Sequence, residues 1–265
     1  MNDVSIRQSA DGDVTEVVLE REGSGNSLTP EVARALADSI QQAGTVAGCV
    51  VLRSAGSVFC SGGDLTFLEG LVGASRDQIA SAVYGNFQAL IRAITECPVP
   101  VIARVQGGAA GAGCDVALAC DLVVASEQAW FEESWIRIGA TSALAGALSL
   151  SGSLGRHRAL ELLITGRRIT AAEAAQEGLV NWTVPADELD GKVEELAHAV
   201  AAADRDAVAA MKQLVRIAER GSIDEALSTG LSLQADLLVR PEFETHLDSL
   251  RERLGAARRR AEGAK

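Results

Sequence analysis

Histidine and aromatic side chains are scarce in this chain. Phe, Trp and Tyr make up 3% of its 265 residues, with one tyrosine, and the three histidines, His157, His198 and His246, lie far apart. A histidine metal site or a Ser-His-Asp triad has little to build on. The five cysteines at 49, 60, 97, 114 and 120 are odd in number and contain no C-x-x-C pair. They read as reduced core thiols of a cytoplasmic protein rather than a disulfide framework. No run approaches the ~18 uncharged apolar residues of a membrane span. The opening MNDVSIRQSADGD is polar and acidic, unlike a signal peptide. Positive charge is in deficit, with a net charge of −12. This argues against binding nucleic acid through phosphate contacts and requires any anionic ligand to find a local basic cluster. Carboxylates and backbone dipoles remain to carry any chemistry.

Apolar residues are plentiful, at 48%, enough for a substantial core. VTEVVLE (14–20), CVVLRS (49–54), VPVIARV (99–105), DLVVAS (121–126) and AWF (129–131) read as strands. Thr29-Pro30 opens a helix, with Thr as N-cap and Pro in the first turn. A long helix is expected over 76–95, where apolar residues recur at 79, 83, 87, 90, 91 and 94. Helices are then expected at 141–151, 156–164 and 171–177, and LVNWTV as a last strand. Beyond it, 186–203, 205–219, 222–239 and 242–256 read as helical. The fold class is α/β, with a core over residues 1–185 and a helical region over 186–265. The tail RRRAEGAK is expected to fray.

Two stretches share a layout of strand, glycine turn and a segment able to start a helix: CVVLRSAG with SVFCSGGDL, and VIARV with QGGAAGAGCDVALACD. Close helix–strand packing would explain either alone. A phosphate loop fits poorly: there is no GK[ST], and counting from Gly111 and Gly113 the last position of G-x-G-x-x-G is Val116. Two helix-start N–H groups converging on one oxygen would instead make an oxyanion hole.

These segments carry a resemblance. GSVFCSGGDL resembles the FxxGxDL segment of the enoyl-CoA hydratase/isomerase (crotonase) family, and QGGAAGAGCDVALACDLVVAS its glycine-rich NGxAxGGG segment. NSLTPEV and LLITGRRITAAEAAQEGLVNWTVP are similar to two further family signatures, in order along nearly the whole chain. The resemblance implies a spiral of ββα turns, a helical C-terminal region that forms homotrimers or homohexamers and covers the active site, and an enolate formed from an acyl-CoA thioester. It implies no cofactor beyond the coenzyme A thioester itself; the net charge of −12 and the lack of a long apolar run argue against a nucleic-acid or membrane partner. The oxyanion donors it implies are the amides of Gly63 and Ala112, the latter usually glycine in the family. Ser61 and the Asp64–Leu65 turn would border the coenzyme. Phe67, Leu68 and Tyr84, with Leu71 and Phe87, would form the acyl-side wall, although a core role suits them as well.

Asp115 is the leading side-chain candidate. It lies three residues after Ala112, one helical turn on and on the same face, where a carboxylate could move a proton at the substrate's α or β carbon. A helix-start aspartate complementing the dipole is the competing reading. The family's hydratases commonly place a glutamate at this position, about 1.5 Å longer. Their second glutamate falls on Trp135, in FEESWIRIGATS aligned on Phe131 and Gly139. Indole donates one hydrogen bond and cannot act as a base. A position carrying aspartate in some relatives is Ala143. Trp135 and Gly139 then read as pocket wall. Strand alternation sends Glu132 and Glu133 to opposite faces, so at most one can point at the pocket. Phosphate contacts could come from Arg21, or from Arg251 and Arg253 of a neighbouring subunit.

The resemblance suggests a hydratase. The missing glutamate puts isomerisation, or a specialised lyase or decarboxylase reaction on a bulky acyl group, at least level with hydration. A binding subunit without catalysis is the alternative from another class.

Overall fold

The computed structural model describes residues 3–263; for Tyr84, Arg220 and residues 253–263 it describes the backbone course only. The described residues form two compact units, 3–205 and 206–263.

The first unit opens with strands β1 (Val4–Gln8) and β2 (Val14–Leu19). Helix α1 (Pro30–Val46) starts where Thr29 and Pro30 require it, with Thr29 Oγ1 accepting the Val32 N–H at 3.3 Å. It buries Val32, Leu36 and Ile40 along one stripe, each such side chain contributing ~2 kcal/mol. Strand β3 (Cys49–Ser54) follows, then a short helix α2 (Leu65–Gly70). The expected 76–95 helix is present as α3 (Arg76–Ala82), a π turn over Val83–Phe87, and α4 (Gln88–Thr95).

Strands β4 (Val101–Val105) and β5 (Gly108–Ala110) lead into helix α5 (Ala112–Ala119), whose eight residues are all buried. β6 (Leu122–Ser126), β7 (Trp130–Glu132) and a 3-10 turn over Ser134–Ile138 come next. After them run α6 (Gly146–Leu154), α7 (Arg156–Thr165), β8 (Ile169–Thr170), α8 (Ala171–Gln176), β9 (Trp182–Val184) and α9 (Leu189–Ala201).

Six strands form one sheet in the order β1-β2-β3-β4-β6-β9, parallel except for β1 against β2. The inner strands are buried on both faces and read as continuous apolar runs. A second sheet, β5-β7-β8, carries the two segments that meet at the site. All five cysteines are buried free thiols, and burial pushes the Cys60 thiol up to about 12. No helix among the described residues is long and apolar enough to cross a membrane.

Two expectations need correction, and one strand was not foreseen. The polar N-terminus contains β1, an edge strand paired to β2 and mostly exposed, so its sequence lacks a buried apolar face. Helix α6 begins at Gly146 rather than 141, because 140–145 is the loop that brings Ser142 to the site. The boundary between units falls after Arg205, not after residue 185. Helix α9 packs on β3, β4 and β6, burying Leu189, Val193 and Ala197 against them.

The second unit holds α10 (Arg205–Arg220) from its second residue, α11 (Ile223–Leu238) and α12 (Pro241–Gly263). Met211 and Val215 on α10, and Ile223, Leu227 and Leu231 on α11, leave apolar stripes exposed. The 258–265 tail and the Arg253 side chain, singled out from sequence, lie outside the described residues apart from the helical backbone to Gly263.

Candidate active site

The two glycine turns lie against each other. Cys60 pairs with Ala109 in a parallel bridge, and the Ala110 N–H donates to the Cys60 carbonyl at 2.9 Å. Gly62 has φ +105°, and a Cβ there would sit 2.8 Å from the Ala110 carbonyl oxygen and 3.6 Å from the Ala112 nitrogen. Only glycine permits this approach.

Neither proposed oxyanion donor is drawn into the neighbouring ladder. Leu28 pairs with the residues flanking Gly63: its N–H donates to the Gly62 carbonyl, and its own carbonyl accepts from Asp64 N–H. Ala112 is the first residue of α5, so its N–H has no partner within the helix. The Ala112 methyl is fully buried in the core.

The other residues around the first turn have defined local roles. Asp64 caps α2, accepting from Thr66 N–H at 3.0 Å and Phe67 N–H at 3.3 Å, and it also accepts from Ser27 Oγ at 2.9 Å. Ser27 and these amides hold its carboxyl below the usual aspartate range. Arg21 donates to the Ser27 carbonyl and lies 3.6 Å from Asp64, so its guanidinium is engaged inside this turn. Ser61 is exposed, its N–H donating to the Gly25 carbonyl, and Leu65 projects outward. Leu68 lies beside Gly63, and Phe67 stacks obliquely on Phe87 at 5.6 Å, within the core edge. The Tyr84 side chain lies outside the described residues.

Asp115 is fully buried on α5. Its carboxylate accepts three hydrogen bonds from a different part of the chain. Trp135 Nε1 donates to Oδ2 at 3.1 Å, and Ser142 Oγ donates to Oδ1 at 2.7 Å. The Gly146 N–H also donates to Oδ1. Gly146 is the first residue of α6, and Ala145 at the N-cap has no side-chain oxygen to offer. Asp115 therefore caps α6 from another helix, complementing that helix's dipole rather than only its own. Burial pushes its carboxyl above the ordinary aspartate value, and the Ser142, Gly146 and Trp135 donors pull it back.

Trp135 sits over this carboxylate and against the turn. A Cβ on Gly111 would lie 3.7 Å from its indole, and the Gly111 N–H donates to the Glu132 carbonyl at 2.8 Å. Gly139 is exposed and closes the 3-10 turn in the left-handed region, φ +68°, which is the role its geometry defines. Ala143 presents its carbonyl to Gln88 Nε2 at 2.7 Å.

Glu132 and Glu133 do face opposite ways, and both are buried. Glu132 is neutralised by Arg137 Nε at 2.8 Å and Arg168 Nε at 2.7 Å. Glu133 turns inward toward Cys114 and Asp115. Among the described residues no N–H or O–H donor reaches either of its oxygens; the polar group facing it is the Cys114 thiol, a weak donor. Burial, and then the charge of Asp115, push its carboxyl up to about 8. One point marks how close the two acids are: a Cβ on Gly146 would lie 2.7 Å from Glu133 Oε1 and 2.8 Å from Asp115 Oδ1. Sequence reasoning placed one of the two glutamates inward without saying which, and did not foresee that it would meet Asp115.

Together these features define a class: an α/β protein in which two glycine turns pack against each other at the start of a helix that carries a buried carboxylate. The comparisons with known proteins make the class specific. Residues 9–255 match the enoyl-CoA hydratase/isomerase family model, and the chain belongs to that family. A Rhodobacter capsulatus protein named "Probable enoyl-CoA hydratase" is 29% identical over 251 residues, covering 94% of this chain and 95% of that protein. The crystal structure of an enoyl-CoA hydratase from Mycobacterium smegmatis superposes with a TM-score of 0.88 at 29% identity, covering 96% of this chain and 97% of the other. One from Polaromonas sp. JS666 gives 0.88 at 30% identity, covering 94% and 97%. The chain therefore has the crotonase fold.

Proposed function

We propose that the protein converts an acyl-CoA thioester through an enolate held by the Gly63 and Ala112 amides, moving a proton between carbons rather than adding water. One observation carries the reading. Both oxygens of Asp115 are committed to protein donors, and Trp135 stands over them as a third group that can only donate. At the position where the family's hydratases hold their second glutamate stands Trp135, and the carboxylate that does neighbour Asp115, Glu133, is buried without a donor of its own. A single carboxylate suffices to take a proton from one carbon and return it to another. Asp115 Oδ2, with only the 3.1 Å indole bond, keeps a lone pair for that task.

In this reading the thioester oxygen accepts from the two amides, worth ~3 kcal/mol or more each as the enolate charge develops. Asp115 takes the α proton, and the indole bond steadies the anion between transfers. Ser61, Asp64 and Leu65 border the coenzyme, and Phe67, Leu68 and Trp135 wall the acyl group. No cofactor takes part. The exposed apolar stripes of α10 and α11 support a homotrimer or homohexamer, and the many buried free thiols suit a reducing, cytoplasmic compartment.

A second reading is favoured by the complete burial of Asp115 and its capping of α6. Asp115 would then be structural, and the oxyanion hole alone would support decarboxylation or another lyase reaction. Deuterium incorporation at the α carbon of butyryl-CoA in D₂O separates the two. Exchange that Asp115→Asn abolishes supports proton transfer by Asp115. Exchange that persists in that variant supports the second reading.

A further inference from the structure

The proton economy of this site depends on a residue outside the family's two glutamate positions. We propose that Glu133 is a positioning residue for Asp115: it stays in its uncharged acid form behind α5, so that Asp115 is the anionic member of the pair and, once Asp115 has taken the α proton, the pair is uncharged beside the enolate.

The asymmetry is in the donors. Asp115 accepts from Trp135, Ser142 and Gly146, three bonds that favour its charged form. Glu133, 4% exposed, accepts from no N–H or O–H group. Two buried carboxylates this close do not both ionise readily, and the one without donors retains the proton.

Among the described residues, the cations near Glu133 are paired with other acids. Glu133 faces Cys114 and Asp115 from α5, and Gly146 and Leu150 from α6. Glu132 and Arg167 line the same small cavity, but Glu132 is paired to Arg137 and Arg168. Arg167 is held by Glu161 and Glu173, at 2.6 and 2.7 Å. Leu162 closes the α7 side. In this proposal Glu133 acts through Asp115 and not on substrate.

The consequence is a defined alkaline limb. When Glu133 ionises, at about pH 8, a second negative charge appears beside the site where the enolate forms. Proton abstraction then becomes slower, by about tenfold per pH unit above that point if the doubly charged pair is inactive.

Two measurements test this, and the first does not depend on the acyl-CoA reading. Infrared pH titration of the unmodified protein should show a buried protonated carboxyl at neutral pH that is lost near pH 8. The same band should be absent in Glu133→Gln and retained in Asp115→Asn. A band that survives in Glu133→Gln, or that is missing from the unmodified protein at neutral pH, overturns the assignment. The second measurement is the pH profile of α-proton exchange on butyryl-CoA, which rests on the proposed function. The alkaline fall should be present in the unmodified protein and abolished in Glu133→Gln, with the rate at pH 7 little changed. An unchanged alkaline fall in that variant contradicts the positioning role. If the unmodified protein exchanges no proton, the acyl-CoA reading fails while the infrared result still decides the state of Glu133.

Discussion

The indole N–H of Trp135 donates to Asp115 Oδ2 at 3.1 Å. A residue that cannot act as a base thus supports one that can, where a hydratase of this family would pair two glutamates. Trp135→Phe keeps the ring and removes the donor. Hydrogen bonds to charged groups contribute roughly 1.5–3 kcal/mol. Urea unfolding should show a loss of about 2 kcal/mol with an unchanged m value, and the acid limb of α-proton exchange should move to higher pH as Asp115 loses a bond that favours its anion.

Asp115 also closes the start of α6. Asp115→Ala leaves the Gly146 N–H, the Ser142 hydroxyl and the Trp135 indole without their acceptor. Loss of a buried acceptor serving several donors costs roughly 3–5 kcal/mol. Asp115→Asn, which retains one oxygen, should lose less than half of that by thermal unfolding. If the two variants are equally stable, the capping role is wrong.

Gly146 is glycine because two acids occupy the space its side chain would need. A Cβ there would overlap Glu133 and Asp115 at 2.7 and 2.8 Å, whereas Gly152 on the same helix has open space within 4 Å. Overpacking of this kind costs roughly 1–3 kcal/mol, while an exposed helical Gly→Ala gains roughly 0.5–1 kcal/mol. Gly146→Ala should therefore destabilise and Gly152→Ala stabilise, measured by the same denaturation curve.

The stability of the protein should depend on Glu133 in a defined pH window. Its folded value, about 8, lies above the ordinary 4.5, so the folded state holds a proton that the unfolded chain releases. The associated stability is complete below pH ~4.5 and is lost as pH rises to about 8, a change on the order of a few kcal/mol. Glu133→Gln lacks this titration. Its stability relative to the unmodified protein should rise steadily between those two pH values and then level off.

Much of the core was legible because its signals are local. Thr29 and Pro30 mark a helix start by capping chemistry, and the mostly apolar runs at 49–54 and 101–105 mark strands buried on both faces. The glycine turns were recognisable as motifs, and Gly62 shows why glycine is needed at one of them. What sequence could not give is non-local. The alternation of β7 says that Glu132 and Glu133 diverge, yet both faces proved to be interior, one lined with arginines and the other without a donor. That Asp115 caps a helix starting 31 positions later depends on how α5 and α6 pack. Strand β1 was missed because its V-S-I-R alternation spans only a five-residue, mostly exposed edge strand, and α9 was grouped with the wrong region because helical periodicity does not say which unit a helix covers.

The oxyanion pair has its own test. Replacing the Ala112 amide by an ester removes one N–H without altering a side chain. Loss of one such donor costs roughly 100–1,000-fold in turnover. Deuterium exchange into butyryl-CoA should fall by about that factor while binding of the thioester weakens far less.

The most direct measurement compares two reactions on the same preparation: hydration of crotonyl-CoA and migration of the double bond in a β,γ-unsaturated acyl-CoA. The account predicts Asp115-dependent migration at a rate well above hydration. Rapid hydration of crotonyl-CoA that survives Trp135→Phe and disappears with Asp115→Asn would contradict it.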